Sequence, residues 1–246
     1  MNNKIPIIGE KLNLKKNKIS IYLKIILNPK ILLKKISRKL QGKSKNYGTF
    51  DYRFLLKKYG KNSVIDSRHP KHDFEHVTNK QKEIFFPILK KLVKKKIFNI
   101  LDFGCGVGRF TKDLGTVFNC NVVGVDTCED LLDFCKNEEK VKFLHIDENC
   151  SQIKEKFDLI FITQVINGIP DDKVFKLANF LTEKINEKGY LFLSETTSHK
   201  NADGIWRART KEKILNFFPE INLKHVSSYI DIDREVSIFF GNKISK

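Results

Sequence analysis

Three glycines alternate in Leu101-Asp102-Phe103-Gly104-Cys105-Gly106-Val107-Gly108-Arg109-Phe110, directly after an apolar run. Glycine at this spacing lets the backbone turn tightly and approach a ligand where any Cβ would collide. A dinucleotide loop reads G-x-G-x-x-G, and its third glycine would fall on Arg109, whereas Gly108 comes one residue earlier. That mismatch argues against a nicotinamide enzyme. Asp102, at the end of the run, is placed to hold the loop and to accept a hydrogen bond from an ammonium group; a pyrophosphate would be repelled there. Asp126 ends the next apolar run, 18 residues after Gly108, where a carboxylate can accept both hydroxyls of a ribose. Asp147 ends a third run with Glu148 beside it and can accept from the exocyclic amine of an adenine. For each acid the plain alternative is a turn or helix-cap role. Loop and spacing weigh against it for Asp102 and Asp126; for Asp147 the contest is closer. Together the three strand ends suit a ligand with an amine, a ribose diol and an aminopurine; S-adenosylmethionine has these three groups and no phosphate.

The elements that must carry these residues are regular from residue 97 onward. Short apolar runs at 97–103, 121–126, 141–147, 157–163 and 189–195 read as buried strands. Helical stretches at 109–118, 128–137 and 171–186 separate them, so the pattern is one of βαβ units in a doubly wound, mostly parallel α/β sheet. Residues 223–230 and 235–240, split by Asp231-Ile232-Asp233-Arg234, read as an antiparallel hairpin. A helix at about 77–95 precedes the first strand, with Pro87 inside it. Before it lies Ser67-Arg68-His69-Pro70-Lys71-His72-Asp73-Phe74-Glu75-His76. Its histidines match no zinc spacing, so the stretch reads as a polar loop beside a pocket, with His69 as a substrate contact.

The sequence resembles the class I S-adenosylmethionine-dependent methyltransferases over residues 80–246. The resemblance rests on Asp102-x-Gly104-x-Gly106-x-Gly108, Asp126, Asp147, Phe157-Asp158-Leu159-Ile160 and Gly189-Tyr190-Leu191-Phe192. It implies a Rossmann-like sheet of seven strands, the last two forming the hairpin. It also implies that Asp102, Gly104, Cys105, Gly106 and Gly108 hold the methionyl part of the cofactor. Asp126 then falls on the ribose, Asp147 on the adenine and Gln164 opposite the sulfonium. The family fixes the cofactor but not the acceptor. The stretch Gln164-Val165-Ile166-Asn167-Gly168-Ile169-Pro170 lacks the Asn/Asp-Pro-Pro-Tyr type of signature, which leaves O-methylation, or methylation of a small amine. Because ligands of doubly wound folds sit beyond the carboxyl ends of the strands, Ser194 to His199 and Gly204 to Thr210 are expected to border the acceptor. There Glu195 or His199 would remove the acceptor's proton, with His69 as an outsider. Trp206 would stack on a sugar ring while Arg207 or Arg209 grips an anionic group. The alternative is a Trp closing the core and an Arg paired at the surface.

Composition bounds the rest. The 246 residues are 41% hydrophobic and 30% charged, which suits one domain with an appendage and excludes a disordered chain or a disulfide scaffold. Five cysteines, without a CxxC pair, suggest reduced thiols in the cytosol rather than bridges or a zinc site. No apolar run reaches the roughly 18–20 residues that span a bilayer. The net charge of +17 is uneven: residues 1–48 hold 13 basic residues and one acidic, while 101–200 are net acidic. Three parts are therefore expected: a basic amphipathic extension at 1–48, a helical cap and substrate region at 49–90, and the methyltransferase domain at 91–246. Within the extension, Leu32, Leu33, Ile36 and Leu40 share one side of a helix capped by Asn28-Pro29, opposite a lysine-rich face. Such a helix fits an anionic membrane surface, or else packs on the main domain with its lysines in water. The expected function is O-methylation of a small-molecule, glycan or lipid-linked acceptor, in the cytoplasm or at its inner membrane face. An RNA methyltransferase using the basic extension and a non-catalytic S-adenosylmethionine-binding protein are the alternatives.

Overall fold

The computed structural model describes residues 6–8, 52–70, 73–198 and 206–244. The strands are β1 (Ile7–Ile8), β2 (Asn99–Phe103), β3 (Asn121–Asp126), β4 (Val141–His145), β5 (Phe157–Thr163), β6 (Ile185–Thr196), β7 (Lys224–Asp231) and β8 (Arg234–Asn242). The helices are α1 (Tyr52–Tyr59), α2 (Phe74–Leu92), α3 (Thr111–Phe118), α4 (Glu129–Leu132), α5 (Asp171–Lys184) and α6 (Lys211–Asn216). One sheet runs β1-β7-β8-β6-β5-β2-β3-β4. β2 to β6 are mutually parallel, and β8 lies antiparallel between β6 and β7. This is the expected seven-stranded sheet with its terminal hairpin. β1 adds an eighth strand, parallel to β7, with Ile8 opposite Asp231.

Alternation along the strands explains their all-apolar sequences. In β5, Ile160 and Ile162 enter one buried cluster with Leu101, Leu191 and Phe217, while Leu159 and Phe161 enter the other with Ile100, Phe85 and Leu89. On the second face the Phe161 and Phe192 rings stack at 4.8 Å, and Phe85 of α2 meets both edge-on. α2 continues through Pro87 to Leu92, so the expected division at residue 90 falls inside a helix that forms one layer of the sheet's core. The basic helix expected at 28–42 lies outside the described residues. Among the described residues no helix is long and apolar enough to cross a membrane.

Two features position the site. The parallel strands all end on one side of the sheet, where the loops after β2, β3, β4, β5 and β6 converge. The segment after α1, a 3-10 turn at Gly60–Val64 and the stretch to His69, passes over those loops as a strap.

Candidate active site

The turn from β2 into α3 is closed on itself. Gly104 and Gly106 have φ of 72° and 57°, the left-handed region that favours glycine. A Cβ on Gly104 would run into the Val165 side chain, and one on Gly106 would stand 3.2 Å from Cγ1 of Val64 in the strap. The N–H groups of Gly104 and Cys105 donate to the Val125 carbonyl at 2.8 and 2.9 Å, that of Gly106 to Asp126 Oδ2 at 2.9 Å, and that of Gly108 to the Cys105 carbonyl at 3.0 Å. These four donors are spent within the protein, so the loop does not offer them to a phosphate as a dinucleotide loop would.

Two carboxylates stand beside it. Asp102 ends β2, is 2% exposed, and accepts from Thr111 Oγ1 at 2.6 Å. Burial moves its pKa up to about 7, helped by the charge of Asp126 and opposed by the Thr111 hydroxyl. Asp126 ends β3 and accepts from the N–H groups of Gly106 and Cys128, each at 2.9 Å. Burial raises its pKa too, against the pull of those N–H groups.

Both carboxylates face a cavity of about 870 Å³. One end is lined by Leu131 of α4 and by Thr127, Ile146, Glu148 and Cys150 from the loops after β3 and β4. The floor is the segment after β5, from Gln164 to Ile169. The far end is walled by Tyr59 and residues 62–68 of the strap, by the β7–β8 turn, and by Thr196 to Ser198 with Trp206. Strap and turn are tied by ions: Arg68 donates to both oxygens of Asp66, at 3.0 and 2.7 Å, and to Asp233 at 2.5 Å.

A family model described as a methyltransferase domain matches residues 55–227. The chain belongs to the class I S-adenosylmethionine-dependent methyltransferase family. Phosphoethanolamine N-methyltransferase 3 of Arabidopsis thaliana is 33% identical over 113 residues, covering 42% of this chain and 22% of that protein. Malonyl-(acyl-carrier protein) O-methyltransferase of Legionella pneumophila is 31% identical over 173 residues, covering 65% and 60%. The chain thus spans about a fifth and three fifths of these two relatives. In fold it is similar to a Pyrococcus horikoshii protein, with a TM-score of 0.58 at 16% identity over 77% of this chain and 98% of that one. It is also similar to a Clostridium acetobutylicum S-adenosylmethionine-dependent methyltransferase, with a TM-score of 0.53 at 16% identity, covering 79% and 99%.

Within the methyltransferase domain the expected site residues separate into two groups. Asp102, Gly104, Cys105, Gly106, Asp126, Gln164 and Trp206 line the cavity. Gln164, at φ 56°, accepts from Thr196 Oγ1 at 3.0 Å. The edge of Trp206 stands over Gly168. Gly108 does not line the cavity; it packs under the Phe143 ring.

Four expectations need correction. Asp147 is half-buried, and its carboxylate accepts from Ser151 Oγ at 2.5 Å and from the N–H groups of Asn149 and Ser151. Those bonds, the Ser151 hydroxyl first, lower its pKa. It is the turn residue, and its neighbour Glu148 lines the cavity instead. Glu195 is buried on the other side of the β6 pleat from Thr196. Its Oε1 accepts from the N–H groups of Val165 and Ile166 at 2.6 and 2.7 Å; burial lifts its pKa to about 7 against those bonds. A general base has to reach its substrate, and Glu195 holds the floor segment from behind. Arg209 pins the same segment through the carbonyls of Ile166 and Ile169 and an ion pair with Asp171. His69 is buried with Nε2 2.8 Å from Asp231 Oδ1, and Asp66, Ser67 and Arg68 line the cavity in its place. Arg207 donates its backbone N–H to the Asn167 carbonyl and turns its guanidinium toward the Gly168 carbonyl; it is not among the residues that line the cavity. His199 lies outside the described residues.

Sequence reasoning missed the strap and the β7–β8 turn. The turn carried a signal, because a charged Asp231-Ile232-Asp233-Arg234 joining two strands had to lie at one end of the sheet. The strap carried little: Asn62, Ser63 and Val64 are ordinary loop residues until tertiary packing lays them over Gly106. Arg109, dismissed with the glycine spacing, donates from Nε to Thr78 Oγ1 at 3.1 Å and also binds Gln81 of α2. Burial brings its pKa down to about 10.

Proposed function

We propose that the protein transfers a methyl group from S-adenosylmethionine to a hydroxyl of a small-molecule, glycan or lipid-linked acceptor. One observation carries this reading: a single cavity runs from the buried Asp102 and half-buried Asp126 at the ends of β2 and β3 to a polar wall made by the strap and the β7–β8 turn. The residues suit the cofactor. These acids favour a cation, the glycine loop keeps its backbone open to close approach, and Leu131 with Ile146 gives an apolar slot at the far side of Asp126. Asp102 would take the ammonium group, Asp126 the ribose hydroxyls and Glu148 the adenine amine. When bound, the cofactor supplies an electrophilic methyl group on a positively charged sulfur. The protein's part is to hold the acceptor oxygen in line with that group and to keep water out; Gln164, Tyr59 and Trp206 border that space.

The acceptor half carries Asp66, Asp231, Asp233 and Glu235 against Arg68 and Arg234. This balance favours a small polar acceptor over an RNA phosphate chain. Amine methylation is the second reading, favoured by the same acids. The chain leaves β1 beside Asp231 and returns at α1, whose Leu55 and Tyr59 line the cavity. The basic N-terminal extension lies outside the described residues; its lysine-rich, acid-poor sequence favours an acceptor presented at an anionic surface. The test is methyl transfer from labelled S-adenosylmethionine into fractionated lipid, glycan and RNA extracts, with phosphoethanolamine and malonyl-(acyl-carrier protein) as defined probes. Label in a lipid, glycan or small-molecule fraction is expected. Label confined to RNA would overturn the reading.

A further inference from the structure

The carboxylate of an amino acid must be met by N–H or O–H donors, and four amides of the glycine loop are already spent on Val125, Asp126 and Cys105. Asp102 and Asp126 are acceptors and repel an anion. Two donors in the same cavity stand differently. Ser63, on the strap, lines the cavity and is 7% exposed, yet its hydroxyl has no hydrogen-bond partner. A buried hydroxyl left so costs free energy unless a ligand meets it. Arg109 also lines the cavity. Its guanidinium is held by neutral acceptors: Nε by Thr78 Oγ1, Nη1 by the Val64 carbonyl at 3.3 Å, and Nη2 by Gln81 Oε1. Among the described residues no carboxylate comes within ion-pair distance of it. Three of five N–H groups are used, which leaves two for a ligand. The Phe110 ring, 4.8 Å away, backs the guanidinium. Because Arg109 binds the carbonyl of Val64, next to Ser63, both donors belong to one corner where the strap meets the glycine loop.

We propose that Ser63 and Arg109 form a carboxylate subsite, which takes the α-carboxylate at the amino-acid end of the cofactor while Asp102 takes its ammonium. The assignment rests on the methyltransferase reading and deepens it. The strap that carries Ser63 also carries Asp66 and Arg68 of the acceptor wall, so one segment reads both ligands.

The test is titration calorimetry with S-adenosylhomocysteine and with 5′-methylthioadenosine, which keeps the adenosine and the thioether but lacks the amino acid. The parent protein should prefer S-adenosylhomocysteine. Ser63→Ala should weaken S-adenosylhomocysteine about tenfold and methylthioadenosine less than about twofold, as expected for one charge-assisted bond. The melting temperature should not fall, since the hydroxyl has no partner to lose. Arg109→Lys, which keeps the charge but loses the fork, should narrow the preference in the same sense. Equal losses for both ligands, or no loss for either, would overturn the subsite. A parent that binds both ligands equally would also overturn it and leave the methyltransferase reading intact. A parent that binds neither would contradict that reading itself.

Discussion

Replacing Asp102 by Asn should make the protein more stable and a poorer binder of its cofactor. Asp102 is 2% exposed, and burial lifts its pKa from 3.8 to about 7. The folded chain therefore holds this proton more tightly than the unfolded chain. Between those two values the unfolded state is ionised and the folded state protonated, so stability falls as pH rises through the window and the loss is complete above about pH 7. A shift of roughly three units, at about 1.4 kcal/mol each, amounts to about 4 kcal/mol at pH 8.5. Roughly half of that remains at pH 5.5 by the same arithmetic. Asn keeps an oxygen that can accept the Thr111 hydroxyl and carries no charge. Urea unfolding without ligand should thus show Asp102→Asn more stable than the parent at pH 8.5, with the gap halved at pH 5.5. Glu195, whose pKa is shifted the same way, is present in both proteins and cancels from the difference. Calorimetry with S-adenosylhomocysteine should show affinity reduced at least about tenfold, the worth of one charge-assisted bond to the ammonium. A variant less stable than the parent at pH 8.5, or one that binds equally well, would refute the reasoning.

Three further outcomes are expected. Asp126→Ala removes the acceptor of the Gly106 and Cys128 N–H groups as well as the proposed ribose contact; S-adenosylhomocysteine affinity by calorimetry should fall at least about tenfold. Glu195→Ala strands the N–H groups of Val165 and Ile166 at about 1–3 kcal/mol each, so the melting temperature should drop, and Glu195→Gln should recover most of the loss. Leu33 and Ile36 changed to Ser should abolish pelleting with anionic liposomes while leaving RNA retention nearly intact, because only a bilayer uses the apolar face.

Much of the sheet was legible because parallel strands buried on both faces must be apolar throughout. β3 and β5 therefore stand where their runs predict, at Asn121–Asp126 and Phe157–Thr163. β6 starts earlier than its run, at Ile185, through an irregularity opposite Phe157 and Leu159 that no local pattern announces. The expected helix at 128–137 shrinks to Glu129–Leu132, and α1 and α6 went unread; each is short and gains its place from packing. The glycine loop was legible because its geometry is local, set by residues within a few positions of one another. Side-chain direction at strand ends was not. Asp147 and Glu148 are adjacent acids, as Glu195 and Thr196 are adjacent polar residues, and in each pair only the second faces the cavity. His69 meets a partner 162 residues away, a contact no spacing rule reaches.

The central claim is that this cavity holds S-adenosylmethionine. Titration calorimetry of the parent protein and of Gly106→Val, with S-adenosylmethionine and with NAD, tests it most directly. One site per chain for S-adenosylmethionine, none for NAD, and loss of binding in Gly106→Val, whose branched side chain would meet Val64 from a left-handed backbone, are the predicted results. Binding of NAD in place of S-adenosylmethionine, or undiminished S-adenosylmethionine binding in Gly106→Val, would contradict the account.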